Sequence, residues 1–206
     1  MFHNTSQLLL TNYILKIYNY EVSFYIKSEL ARQYGNAIDK LFINDYNLES
    51  SLAKCDGLIE YVTYIENQGA TVDGIGTQMH ISLNNDKDKI VEMFQKLAAS
   101  GKLIKISELD VRLGTNAPTN EQMAQQSEIY QFVIDKYKEI IPAIQQYGIT
   151  IWGISDNEKE HEFWLPDESP NLWNANYQRK HAYKGVADGL AGRDVSEDFS
   201  GELIID

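Results

Sequence analysis

The 206 residues contain a single cysteine, Cys55. An intramolecular disulfide is therefore excluded, and so is a metal centre built on several thiolates. Basic residues are scarce as well. The 18 Lys and Arg stand against 30 Asp and Glu, a formal net charge of -12. A surface that acidic repels phosphate backbones, which argues against a nucleic-acid partner and suits a neutral substrate. No apolar run is long enough to cross a bilayer, so no membrane partner is expected. The opening stretch MFHNTSQLLLTNYILKIYNY does not read as an export signal. No Lys or Arg precedes its apolar run, Thr11, Asn12 and Lys16 interrupt it, and no small-residue cleavage site follows. Asn4-Thr5-Ser6 fits the glycosylation sequon, a short pattern that carries weight only in a secreted protein. No linker rich in Pro, Ser or Gly divides the chain.

What is present is an alternation of strands and helices. Apolar spacing predicts helices over 24–34, 58–67, 86–100, 119–141 and 177–190. Thr119 and Gln122 form a capping box that opens the longest of them, and Pro142 is expected to kink or restart it. Gly35, Gly69, Gly101 and Gly148 each read as a stop after a helix and before a strand. Four strands are predicted, over 40–46, 72–80, 103–111 and 149–155. Strand and helix alternating in this way predict a parallel α/β sheet covered by helices. The acidic end, GRDVSEDFSGELIID, reads as a tail over 192–206, an extension or a docking segment.

Sites in parallel α/β sheets lie beyond the carboxyl ends of the strands. Here those ends carry Asn44-Asp45-Tyr46-Asn47, then Gln78-Met79-His80, then Glu108-Leu109-Asp110, then Trp152 through Asn157. Carboxylates beside an indole and several amides suit carbohydrate, whose apolar ring face stacks on an aromatic while its hydroxyls pair with polar groups. Glycoside hydrolysis needs two carboxyl groups flanking the bond, and Glu108 is placed for one of them. His80, on the neighbouring strand, could hold Glu108 ionised, and Asp110 could orient His80. Each residue also has a plainer reading. Glu108 could be a surface ion-pair member, His80 a core histidine, Trp152 a packing residue, and Asp45 and Asp156 turn or cap residues. His80, Glu108 and Asp110 could also be taken as metal ligands, but they match no recognised metal-binding spacing, and neither metal nor cofactor is expected.

The segments KLFINDYN, VDGIGTQMHI, ISELDV, ITIWGISDN and ANYQRKHAYKGVADGL resemble, in order and spacing, the C-terminal half of family ten glycoside hydrolases, the endo-β-1,4-xylanases. The likeness covers about 23–191 and leaves 1–22 as a leader outside it. It implies a (β/α)8 barrel of the TIM type, here about half a barrel, and xylan or a xylo-oligosaccharide as the substrate. It implies retention of configuration through a covalent glycosyl-enzyme intermediate. By the same resemblance Glu108 is the nucleophile, hydrogen-bonded by His80, with Asp110 completing the polar chain. Gln78 contacts sugar near the scissile bond, and Trp152 is the platform under the sugar at the cleavage point. Trp164 forms a second wall, carried by a loop longer than the family's usual one, while Asn44 and Tyr46 line the leaving-group side. Members of the family are usually secreted or periplasmic.

One part of the family pattern is missing. The acid/base Glu ends an earlier strand of the family, in a Trp-Asp-Val-Val-Asn-Glu motif that this sequence lacks; Asn19-Tyr20-Glu21 is its nearest Asn/Glu pair. The expectation is therefore the nucleophile's half of a two-carboxylate site, with the acid/base Glu supplied by a separate N-terminal half. The alternatives are a catalytically inactive sugar-binding remnant and a truncated reading frame.

Overall fold

The computed structural model describes residues 30–36, 38–160 and 163–198. The leader, the Asn19-Tyr20-Glu21 triplet, most of the first predicted helix and the end of the acidic tail lie outside the described residues. Of that first helix, 30–34 are helical.

In chain order the elements are β1 (Phe42–Asp45), α1 (Leu52–Asn67), β2 (Gly74–Thr77), β3 (His80–Ser82), α2 (Lys87–Ala99), β4 (Leu103–Arg112), α3 (Asn120–Ile140), β5 (Gln146–Ile151) and α4 (His181–Ala191). Every strand pair is parallel. The order across the sheet is β1-β2-β4-β5, with β3 pairing further along β4. The strand expected over 72–80 is thus two short strands. Met79 breaks it with a left-handed φ of 64°, and both pieces lie against β4.

The sheet curls. Among the described residues β1 and β5 are its outer strands, and in a flat sheet they would stand roughly 14 Å apart, three spacings of about 4.8 Å. Yet the rings of Phe42 on β1 and Tyr147 on β5 meet with centroids 4.6 Å apart. They meet over the concave face, where the Phe42 ring occupies the space a Cβ at Gly74 would need. On the convex face Ile43, Ile75, Ile104 and Ile106 join Val62, Ile65, Ile90, Phe94, Leu97, Tyr130 and Val133 in one buried core. Full burial of each such side chain is worth about 1.5–3 kcal/mol. α4 packs tightly on α3. There a Cβ at Gly185 would stand 2.1 Å from the Ser127 carbonyl oxygen and one at Gly189 2.9 Å from the Ile134 Cβ.

Several boundaries differ from the sequence reading, each for a local reason. α1 starts six residues early, at Leu52 rather than 58, because the Ser51 side chain accepts from the Lys54 N–H and the helix runs through Gly57. Pro142 neither kinks nor restarts α3. The helix ends at Ile140, and Ile141 turns extended, the conformation a following proline imposes. Gly148 is a residue of β5, not a helix stop. α4 begins at His181 rather than 177, since Tyr177 takes a left-handed φ of 60°. The Thr119–Gln122 capping box is formed as expected. At the other end of the chain the tail folds back on α4: the Val195 N–H donates to Asp188 and Lys184 bonds both Asp188 and Asp194.

Cys55 lies on the buried side of α1, and burial, reinforced by nearby Asp56, pushes its thiol up to about 11. A thiol reagent such as dithiobisnitrobenzoate is expected to leave the native protein untouched at pH 8 and to titrate one thiol only in denaturant. Rapid reaction without denaturant would show that α1 opens readily.

Candidate active site at the carboxyl ends of the strands

Two irregularities bring the polar residues together. Between Thr77↔Ile106 and His80↔Asp110 the β4 partner advances four positions while the β2–β3 segment advances three. Between Ile106↔Ile149 and Leu109↔Ile151, β4 again carries one residue more than its neighbour. Seen from both sides, β4 holds an extra residue around Ser107-Glu108. Such a bulge shifts the two-residue alternation by one. Before it, Ile104 and Ile106 face the core; after it, Leu109 and Val111 do. Ser107 and Glu108 therefore both turn away from the core, next to each other.

Glu108 is held at both oxygens. Asn44 Nδ2 donates to its Oε1 at 2.9 Å, and His80 Nε2 lies 3.2 Å from its Oε2. The other ring nitrogen of His80, Nδ1, lies 2.8 Å from Asp110 Oδ2. Trp164 Nε1 donates to that same oxygen at 3.1 Å. Asp110 is fully buried. A row of carboxylate, imidazole and carboxylate thus spans β4 and β3, closed at its far end by an indole. The Trp152 amide donates to the Leu109 carbonyl at the end of β5. Its ring stands edge-on to Trp164 with centroids 6.5 Å apart and edge-on to His80 at 5.9 Å. Both indoles remain about two-fifths exposed, at 42% and 40%, so a ligand can reach them.

The remaining residues singled out in the sequence separate into two groups. Gln78 sits at the strand break, where its carbonyl accepts from the Glu108 N–H and its own N–H donates to Asp45. Tyr46 is exposed at the end of β1, with Lys54 Nζ 3.7 Å from its ring centroid. Asp45 and Asp156 are engaged elsewhere, Asp45 with Lys54 and Asp156 with the buried Lys180. Among the described residues no cluster of His, Cys, Asp or Glu is arranged to hold a metal ion. None of their helices is long and apolar enough to cross a membrane. Two residues not singled out in the sequence lie against Asn44: Ser107, whose Oγ is 2.6 Å from its Oδ1, and Gly76, where a Cβ would stand 2.4 Å from that oxygen. The bulge had a visible signal, a change of the apolar positions from even (Ile104, Ile106) to odd (Leu109, Val111).

Burial of His80 opposes its charged form. The hydrogen bond and charge of Asp110, followed by those of Glu108, outweigh that, and its pKa is raised above the ordinary 6.5. A histidine raised on folding adds stability that is fully present below about pH 6.5 and is lost as pH climbs through the raised value. Urea unfolding at pH 6 and pH 8.5 is expected to show higher stability at pH 6, by an amount that His80→Asn reduces. An unchanged pH difference in the variant would mean that His80 does not gain its proton between these two carboxylates.

Parallel strands whose carboxyl ends converge on a bonded carboxylate–imidazole–carboxylate row form one side of a (β/α)8 barrel with its site at the barrel mouth. The family model for glycosyl hydrolase family 10 matches residues 21–189, and the chain belongs to that family. It is 35% identical over 166 residues to the exoglucanase XynX of Acetivibrio thermocellus, covering 78% of this chain and 14% of that protein. It is 36% identical to endo-1,4-beta-xylanase A of Cellvibrio japonicus, covering 75% of this chain and 28% of that protein. Among solved structures, a thermostable mutant of a xylanase from Cellvibrio japonicus superposes with a TM-score of 0.74 at 31% identity. That match covers 82% of this chain and 54% of the other. A xylanase10C mutant from the same organism, in complex with xylopentaose, matches with a TM-score of 0.74 at 28% identity, over 82% of this chain and 37% of that one. The chain therefore spans about half or less of the proteins it matches, and its fold is part of their barrel.

Proposed function

We propose that this chain carries the nucleophile's half of a retaining β-1,4-xylanase site. The observation that carries the reading is the Glu108 carboxylate, held at one oxygen by Asn44 and at the other by His80, at the end of a central strand. A carboxylate fixed at both oxygens keeps a lone pair aimed at a sugar's anomeric carbon. His80, itself anchored on Asp110, holds the second oxygen of Glu108 in place. Trp152 and Trp164 offer exposed indole faces for a xylose ring, and Tyr46 extends that surface toward the leaving group. The xylopentaose held by a related xylanase supports a xylo-oligosaccharide as the ligand.

A retaining glycosidase needs a second carboxyl about 5–5.5 Å from the first, to protonate the leaving group. That group belongs to an N-terminal half-barrel which completes the sheet beside β1 and β5, its outer strands among the described residues. General acid catalysis is worth about 10²–10⁴-fold. On natural xylan, whose leaving group needs a proton, the chain alone is therefore expected to cleave slower by about that factor.

The test uses a substrate that needs no acid. In 2,4-dinitrophenyl 2-deoxy-2-fluoro-β-xylobioside, Glu108 attacks C1 as the C1–O bond breaks, and dinitrophenolate leaves with the electron pair and no proton. The expected result is one equivalent of dinitrophenolate and one fluoroxylobiosyl ester, located by mass spectrometry on the peptide containing Glu108. Release no faster than in buffer, with no adduct, would overturn the assignment. Adding an N-terminal half is then expected to raise the release of reducing ends from xylan above that of either half alone.

A further inference from the structure

Asn44 reaches Glu108 from two strands away. In register, Asn44 on β1 faces Gly76 on β2, and Gly76 faces Lys105 on β4. The side chain must cross the whole of β2 to touch β4, a span of about 9–10 Å between backbones. It does so because Gly76 presents no side chain: a Cβ there would stand 2.4 Å from Asn44 Oδ1. On arrival the amide meets two residues of the bulge at once. Its Oδ1 lies 2.6 Å from Ser107 Oγ, and its Nδ2 lies 2.9 Å from Glu108 Oε1.

The chemistry of the three groups gives the contacts a direction. An ionised carboxylate only accepts, so the amide must turn its N–H to Glu108 and its carbonyl oxygen to Ser107. The Ser107 hydroxyl has two acceptors within reach, Asn44 Oδ1 at 2.6 Å and the Thr77 carbonyl at 3.3 Å. Its single proton goes to the nearer one. We infer that Ser107 is a positioning residue: its hydroxyl, acting across the gap left by Gly76, locks the Asn44 amide in the orientation that presents Nδ2 to Glu108. Without that hydroxyl the amide is free to rotate by half a turn and set its oxygen against the carboxylate, which displaces Glu108 from its line of attack. The bulge is what makes the device feasible, because it puts Ser107 and Glu108 side by side on one face.

This role rests on Glu108 being the nucleophile, so its test has one arm that depends on reactivity and one that does not. In the reactive arm, Ser107→Ala is expected to slow covalent capture from the dinitrophenyl fluoroxylobioside about tenfold, the scale on which loss of one aligned hydrogen bond acts. Ser107→Thr, which keeps the hydroxyl, restores capture to within about twofold, and Gly76→Ala behaves like Ser107→Ala. In the second arm, ¹⁵N-resolved NMR follows the Asn44 side-chain amide. One of its two protons is expected far downfield in the unmodified protein. It returns to the ordinary range in Glu108→Ala, which identifies it, and also in Ser107→Ala. Capture and amide shift both unchanged in Ser107→Ala would overturn the inference. If the unmodified protein fails to be captured, the nucleophile assignment falls, while the amide shift still decides whether Ser107 orients Asn44. An Ala variant that slows capture but is not rescued by Thr would assign the loss to packing and equally overturn the role.

Discussion

Glu108→Ala is expected to yield no covalent adduct with the dinitrophenyl fluoroxylobioside at any time point. In the presence of an N-terminal half it should lower xylan hydrolysis by about 10⁴-fold or more, since a missing nucleophile leaves only binding and solvent attack. The fold should tolerate the change. Glu108 turns away from the core and contributes nothing to its apolar packing, although only 18% of its side chain is exposed. Of the two groups it leaves behind, Asn44 is exposed and can turn to water, while His80 keeps its bond to Asp110. Circular dichroism is therefore expected to stay close to that of the unmodified protein, with the urea midpoint lowered only by the share of His80's stabilisation that Glu108 supplies. Hydrolysis surviving in Glu108→Ala would mean that another residue carries the attack.

The second large effect lies in stability and not in chemistry. Lys180 is 2% exposed, and its Nζ donates to Asp156 at 2.7 Å and to the Ser169 carbonyl at 2.7 Å. Burial pushes its pKa down, and the charge and hydrogen bond of Asp156 pull it back up. Asp156 in turn accepts from the Asn171 N–H. The pair thereby ties the loop after β5 to the start of α4. Lys180→Met keeps the volume but strips Asp156 of its buried counter-charge, a change that costs about 3–5 kcal/mol. For a chain of this size that corresponds to a fall in Tm of roughly 6–20 °C. Thermal unfolding followed by circular dichroism measures it. In Lys180→Met/Asp156→Leu, where neither charge is left alone, much of the loss is expected to return. A drop of less than about 1 kcal/mol in the single variant would show that water reaches Asp156 and that the pair is not buried in solution.

The parts of this molecule that could be read from sequence are those dictated by neighbouring residues. Strand–helix alternation, the Thr119–Gln122 capping box and the glycines after α1 and α2 depend on local rules, and the structure has them. Gly69 and Gly101 do take left-handed φ, 101° and 70°. The start of α1 was hidden because Gly57 looks like a break; the Ser51 cap and the burial of Cys55, Leu58, Val62 and Ile65 carry the helix through it. The strand over 72–80 looks continuous in its alternation, and only a backbone torsion at Met79 divides it. The site was legible in its residue types, because Asn44, His80, Glu108, Asp110 and Trp152 cluster at strand ends. Its wiring was not. That Asn44 reaches across β2 to Glu108, and that Trp164 closes Asp110, follow from the register of separate strands and from a long loop, which no local pattern encodes.

The extra residue in β4 also separates two kinds of constraint. In a regular strand every second position serves the core, and changing a residue on one face leaves its neighbours committed to the other. At Ser107 and Glu108 the bulge frees two consecutive positions from the core, while Ile106 and Leu109 on either side remain fully buried. Substitution at either position therefore removes no side chain from the buried core, so the chemistry at the strand ends can change while the apolar positions that hold β4 in place stay as they are.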